Sequence, residues 1–183
     1  RAPKFPQWFS LQYLMAAGYF YNNPNWVNHV THTLDQMIAG GIYDQAGGGF
    51  ARYSTDEYWL VPHFEKMLYD QAFLITVLSE AYQLTQHTRY ATCIQHTIRF
   101  LQQTMASAGE GYYAALDADS EGVEGKFYVW QKDEIEAIIG EDADLFCRYY
   151  DVTEKGNWEG KNILRVLKPK QQFAEEERID PEE

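Results

Sequence analysis

Residues 62–70, PHFEKMLYD, bring an imidazole, a carboxylate and an amine within four positions: His63, Glu65 and Lys66. On a helix, His63 and Lys66 stand one turn apart, and Lys66 and Asp70 form an i,i+4 pair. Two readings fit. One is an ordinary polar helix start carrying a surface ion pair. The other is a carboxylate and an imidazole set beside a cleft, the pairing that proton transfer needs. The neighbouring residues favour the second. Phe50, Arg52, Tyr53 and Trp59 come just before it in a glycine-rich stretch, GGGFARYSTDEYWLVP. Flat aromatic faces beside carboxylates suit the apolar faces and hydroxyls of sugars.

A second constellation is LDADSEGVEGKFYVW at 116–130, with Asp117, Asp119, Glu121 and Glu124 inside eight residues. A calcium loop of the EF-hand type would place a glutamate at its twelfth position. Here that position is Tyr128, and strand-like residues follow. The segment reads instead as a carboxylate-bearing turn at a cleft mouth, or as a solvated acidic turn. His29 and His32 share a helix face without a third ligand, so no metal is expected. HExxH, GxSxG and phosphate-loop motifs are absent. Gly47, Gly48 and Gly49 lack dinucleotide-loop spacing and read as a tight bend.

The elements that must hold these groups are mostly helical. Leu11, Leu14, Met15 and Gly18 mark a helix over 7–21. Asn23-Pro24 reads as a cap followed by a first-turn proline, opening a helix that Gly40-Gly41 ends. Phe50–Tyr53 and Tyr58–Val61 are expected to pair as a hairpin around Ser54–Glu57. Further helices are expected over 63–84, 88–105, 132–139 and 142–150, with a short hairpin within 156–167. The two long aromatic loops follow the second and fourth helices, about 65 residues apart, as in a repeat of helix pairs. Loops that leave helices of one polarity should meet at one end.

The chain has 183 residues, 45% of them hydrophobic, enough for a core of one or two domains. Its net charge of −12 is opposite to a nucleic-acid footprint. No apolar run approaches the ~18 residues of a membrane span, and no signal-peptide pattern is present. The opening RAPKFP, without an initiator methionine, reads as a piece of a longer chain. Cys93 and Cys147 form no CxxC motif; Cys93 falls among apolar helix positions and is expected to be buried and inert. A reducing cytoplasm fits.

APKFP at 2–6, GGIYDQAGGGFARYSTDEYWLVPHFEKMLYDQA at 40–72, ALDADSEGVEGKFYVW at 115–130 and GNWEGKNIL at 156–164 together resemble the spermatogenesis-associated, thioredoxin-domain-containing protein family. The resemblance covers nearly the whole chain. It implies an all-α fold, about half of a six-hairpin (α/α) toroid with short β-hairpin loops at one end. That toroid is similar to those of N-acylglucosamine 2-epimerases and six-hairpin glycosidases. The toroid part is expected over 1–168, with an acidic tail over 169–183. The family's thioredoxin-like portion and its cysteine motif have no counterpart in the sequence, so redox activity is not carried over.

The function this implies is carbohydrate binding or modification, glycosidase-like or epimerase-like. A hydrolase would draw two carboxyls from Glu65, Asp117, Asp119 and Glu121. An epimerase would use His63 as base. Arg52, Tyr53, Lys66 and Tyr128 could hold hydroxyls, and Trp59 and Trp130 could stack on sugar rings. No cofactor is expected. The alternative is a non-catalytic scaffold whose aromatic loops hold a peptide for the fused thioredoxin-like domain. Expected partners are a saccharide or small molecule, the remainder of the protein, or a second copy of the chain. The last two, or the chain's own tail folded back, would cover apolar flanks expected at Leu11, Leu14 and Met15, and at Leu145, Phe146 and Tyr149.

Overall fold

The structure, a computed structural model, describes residues 1–181. It is mainly helical with a few two-residue strands. The chain forms two compact units, Arg1–Phe127 and a second one beginning at Tyr128. Residues 182 and 183 of the expected tail, 169–183, lie outside the described residues.

In the first unit, α1 (Trp8–Phe20) and α2 (Pro24–Ala39) form one helical hairpin, and α3 (Leu68–Thr85) and α4 (Thr88–Phe100) form another. The hairpins meet where α1 packs on α3. The Asn23 side chain accepts from the Asn25 backbone N–H at 3.2 Å, with Pro24 in the first turn, so α2 starts as its sequence dictates. Gly18 lets α1 and α2 approach closely, since a Cβ there would lie 2.9 Å from Val27 Cγ2. Val30, Leu34 and Met37 of α2, Leu74, Val77, Leu78 and Ala81 of α3, and Tyr90 and Cys93 of α4 fill the core. Burial of such a contiguous apolar set is the main driving force for this arrangement.

Leu11 and Met15 also belong to that core, and Leu14 packs against it, so these residues are not an open flank. The exposed aromatics of α1 and the turn after it are instead Phe9, Tyr13, Tyr19, Phe20 and Tyr21. α4 runs on into a π-helical turn, Leu101–Met105, which closes with Met105 buried.

The third helix begins at Leu68, five residues later than periodicity predicts. The intervening backbone is used elsewhere. His63 N–H donates to Tyr53 at 3.0 Å, and Arg52 N–H donates to the Glu65 carbonyl at 2.8 Å. Lys66–Met67 form strand β1, which pairs antiparallel with β2 (Ala115–Leu116) of the second long loop. Nonlocal pairing therefore overrides helix propensity here. The two loops lie side by side as expected. The first loop is pinched twice rather than once: Tyr43 bridges Phe50 across the glycine run, and Ser54 bridges Pro62. The Asp56 carboxylate caps the second pinch by accepting the Tyr58, Leu60 and Val61 backbone N–H groups. In the second loop, β3 (Asp119–Ser120) and β4 (Val123–Glu124) make a tight antiparallel turn.

In the second unit, β5 (Val129–Trp130) pairs with β6 (Asn162–Ile163). Between them run α5 (Lys132–Ile139), a 3₁₀ turn and α6 (Ala143–Tyr149). Gln131 and Glu134 form a reciprocal capping box at the start of α5. Ile135, Cys147, Val152 and Leu164 form a small core, against which Phe146 packs. Within the acidic tail the chain forms α7 (Lys170–Glu177), with Phe173 and Ala174 buried and the Phe173 ring 5.0 Å from that of Tyr149. Among the described residues, no helix is long and apolar enough to cross a membrane.

Both cysteines are free and buried. Burial pushes the Cys93 thiol up to about 12 and raises that of Cys147 as well. Since the thiolate is the reactive form, an aromatic disulfide reagent at pH 8 should react with neither cysteine until the chain unfolds. A fast phase equivalent to one thiol in native protein would show that one of these cores opens.

Candidate functional site

The site is built around the joint between the two long loops of the first unit. Lys66 of β1 is 2% exposed. Its ammonium donates to Asp44 Oδ2 and to the Gly48 carbonyl, each at 2.8 Å, and lies 4.3 Å from the centre of the Phe100 ring. Asp44 Oδ1 accepts from the Ala46 and Gly47 backbone N–H groups at 3.0 and 2.8 Å. The buried cation thus has a paired carboxylate, and that carboxylate has its remaining acceptors filled. Burial lowers the Lys66 pKa, and Asp44 opposes that shift. The glycines have specific work: Gly49 has φ of 79°, and a Cβ there would fall 2.6 Å from Phe100 Cδ1.

Gln71, fully buried on α3, completes the joint. Its side-chain oxygen accepts from Phe50 N–H, and its amide donates to the Phe50 carbonyl, both at 2.7 Å. A side chain here does what a neighbouring strand would do. Lys66 is thereby a structural residue and not the hydroxyl-binding group expected, and its partner is Asp44 and not Asp70. Trp59 is likewise removed from the expected stacking role. It is 3% exposed within the core, and Lys4 covers its ring at 4.2 Å.

Over this base lies a partly exposed polar cluster. Arg52 Nη1 donates to Glu65 Oε2 at 3.0 Å. The bond to Glu65, then the nearby Tyr69, hold the guanidinium even more firmly charged than usual. Behind them sits Asp70, 4% exposed, in the first turn of α3. Its Oδ1 accepts from the Trp8 indole at 3.2 Å, and its Oδ2 has no hydrogen-bond partner. The Trp8 ring is stacked on Phe73 at 3.7 Å. Burial pushes the Asp70 carboxyl up to about 6, and the Glu65 charge adds to the rise; the Trp8 bond and the Arg52 charge oppose it.

Beside this cluster, His63 Nδ1 and Glu124 Oε1 lie 2.9 Å apart, joining the two loops. The imidazole stacks on Tyr53 at 4.9 Å, and Tyr53 in turn meets Phe5 at 4.8 Å. Glu124 reaches His63 because Gly125, with φ of 71°, packs so tightly on Phe64 that a Cβ would come within 2.5 Å of its ring. The structure therefore brings His63, Glu65, Arg52 and Tyr53 together.

The remaining acidic candidates lie in the turn of the second loop. Asp117 accepts from the Asp119 N–H at 3.1 Å, Asp119 stands in the exposed β3–β4 turn, and Glu121 pairs with Lys126, which holds its carboxyl below the usual range. Of that acidic segment, Glu124 is the residue that engages His63. Tyr128 and Trp130 belong to the second unit, where Trp130 packs on the Ile135–Leu164 core. Among the described residues, no group of three or more His, Cys, Asp or Glu side chains is placed to hold a metal.

Trp8 and Gln71 are residues that spacing did not single out, and Asp70 and Glu124 were named by spacing without the partners they have here. Asp70 had one available signal: a carboxylate in a helix whose flanking Leu, Ala and Phe residues are apolar.

No family model matches the chain. The chain is similar to human spermatogenesis-associated protein 20, with 34% identity over 203 aligned residues that cover 90% of this chain and 25% of the human protein. The mouse protein of the same name matches to the same extent. An uncharacterized protein of Caenorhabditis elegans is 34% identical over 209 residues, covering 98% of this chain and 28% of that protein. The chain thus spans about a quarter of the length of the curated relatives it matches.

Because the Asp70 pKa is raised by folding, the native state binds the extra proton, and this group's contribution to stability is lost as pH rises from about 4 to about 6. Asp70→Asn keeps an acceptor for the Trp8 indole and removes the buried charge. At pH 7.5 it should stabilise the first unit by ~1–2 kcal/mol in urea unfolding, with little gain at pH 4. A loss of stability at pH 7.5 would show that the Asp70 carboxylate is better paired than its surroundings indicate.

Proposed function

We propose that this chain is part of a carbohydrate-binding or carbohydrate-modifying domain, glycosidase-like or epimerase-like, within a longer thioredoxin-domain-containing protein. Two helical hairpins with their long loops paired are the unit from which an (α/α) toroid is assembled, and the chain would supply about half of one.

The observation that carries the reading is His63, held by Glu124 at 2.9 Å, beside the Arg52–Glu65 pair and the Tyr53 ring. A carboxylate on Nδ1 fixes the ring and its tautomer, with the proton on Nδ1, so that Nε2 is the nitrogen that takes a proton. Such a base, next to a carboxylate and a cationic donor, suits proton removal next to a sugar carbonyl. The exposed Phe5 offers an apolar ring at the same place, against Tyr53. This geometry favours the epimerase-like form over a hydrolase, because Asp117 and Glu121 are engaged in their own turn. A cytoplasmic setting accords with two free cysteines.

One observation favours a second reading. Tyr19, Phe20 and Tyr21 crowd the exposed end of α1. Aromatic side chains of this kind suit a scaffold that holds a peptide or the rest of the protein, or one that pairs with a second copy.

Ligand-observed NMR against neutral mono- and disaccharides, with an unstructured peptide set in parallel, separates the two. The proposal expects saturation transfer to at least one saccharide, weakened tenfold or more by His63→Ala or Arg52→Ala. Binding of peptides with no saccharide response, unaffected by these substitutions, would replace the enzyme-like reading with the scaffold.

A further inference from the structure

α1, WFSLQYLMAAGYF, carries no charged side chain on any face. Leu11, Met15 and Gly18 are buried, with Leu14 packed against the core. On the opposite face Phe9, Tyr13, Ala16 and Phe20 follow one another at i, i+4, i+7 and i+11, a stripe about 60° wide on a helix of 3.6 residues per turn. Its three rings are 58%, 75% and 82% exposed, and Ala16 is exposed between them. A helix that is apolar all round belongs in an interior. Tyr19 and Tyr21 widen the patch at its C-terminal end. At roughly 150–250 Å² per aromatic side chain, these five leave on the order of 700 Å² accessible. That exceeds the largest apolar patch of an ordinary monomer, about 300–600 Å². It approaches the ~800 Å² that each partner of a stable complex buries. We infer that this stripe is covered by a second copy of the chain, with the two α1 helices antiparallel about a two-fold axis.

The stripe is self-complementary in its spacing. An axis that crosses α1 between Leu14 and Met15 sets Phe9 opposite Phe20 of the second copy, and Tyr13 opposite Ala16 of the second copy. Every contact is then made twice, as a two-fold interface requires. The large Tyr13 ring meets a small side chain, which is how the ridges of one helix enter the grooves of another. Because α1 has no charge, the contact desolvates none from that helix. Gln12, beside the stripe, is held by Glu80 of α3 at 2.6 Å. An uncharged face gives an acidic or basic ligand nothing to recognise, and suits a partner of its own kind. The inference extends the reading of the α1 aromatics as a docking face. It does not depend on saccharide binding, since His63, Arg52 and Glu65 lie outside α1.

Sedimentation equilibrium of the intact chain, from micromolar to near-millimolar, tests this without any ligand. The expected result is a monomer–dimer equilibrium. Tyr13→Glu should weaken it at least 30-fold with circular dichroism unchanged, because Tyr13 is open in the single chain. Tyr58→Glu, at an exposed ring outside α1, should leave it unaltered. Each copy carries a net charge of −12, so added salt should tighten the dimer. A dimer that loosens with salt, or that survives Tyr13→Glu, would be held by another surface. Cross-linking reads the register, and Cys93 and Cys147 are buried and do not compete. Across the axis, two copies of residue 16 stand about 4–5 Å apart along the helix direction, and two copies of residue 9 about 16 Å apart. A disulfide spans no more than ~7 Å between Cα atoms. Mild oxidation should therefore join Ala16→Cys into a covalent dimer and leave Phe9→Cys monomeric. Cross-linking at both positions would mean parallel helices and overturn the two-fold contact. A monomer at every concentration would overturn the second copy as occupant, and would assign the stripe to another part of the longer protein. Saccharide binding is read separately, and its absence would remove the proposed function and leave the dimer intact.

Discussion

One ammonium group ties the first unit together. Lys66 Nζ is buried against Phe100 of α4 and holds Asp44 and Gly48 of the first loop, while its own backbone pairs with Leu116 of the second. A buried cation is costly unless paired and fully hydrogen-bonded, so this arrangement admits few alternatives. The glycine run follows from the same constraint. Chain must pass between Asp44 and α4 with no room for a Cβ at Gly47, Gly48 or Gly49. Gln71 then fixes Phe50 from the helix side, and the residues that follow are delivered to the surface in a set register.

The chemistry depends on that register. Arg52 and Glu65 meet because their segments are zipped by the Arg52 N–H to Glu65 carbonyl bond, and His63 meets Glu124 because β1 and β2 align the loops. Asp70 sits just inside, one turn past the joint, where the environment is dry enough to favour its proton. A charged structural pair, a buried carboxyl with a raised pKa and a partly exposed charged pair therefore follow one another from core to solvent. Environments that push neighbouring carboxyls apart in pKa are how acid and base roles become distinct.

Much of the fold was legible in the sequence. The Asn23-Pro24 cap, the periods of α2 and α4 and the meeting of the two glycine- and aromatic-rich loops all follow from local pattern and polarity. The start of α3 was not, because residues 63–67 have acceptable helix propensity and lose it to a partner strand nearly 50 residues away. Spacing also misassigned charge. Lys66 and Asp70 look like a surface i,i+4 pair, yet burial sends one to Asp44 and the other to Trp8. Trp59 in a polar loop looked like a platform, and its large apolar area draws it into the core instead. In the second loop, four acids compete on equal terms in sequence, and the close approach allowed by Gly125 selects Glu124.

The claim that the Lys66 joint positions the site is tested most directly by native-state hydrogen exchange in Lys66→Met, a change that keeps the stem and removes the charge. The amides to follow are Arg52, bonded to Glu65, and Leu68, bonded to Ala114 of the second loop. The account predicts that both lose protection by about 100-fold, as the unpaired Asp44 loosens the first loop and the two loops part. Unchanged protection at both amides would contradict it, and would mean that the loops hold their register without the buried ion pair.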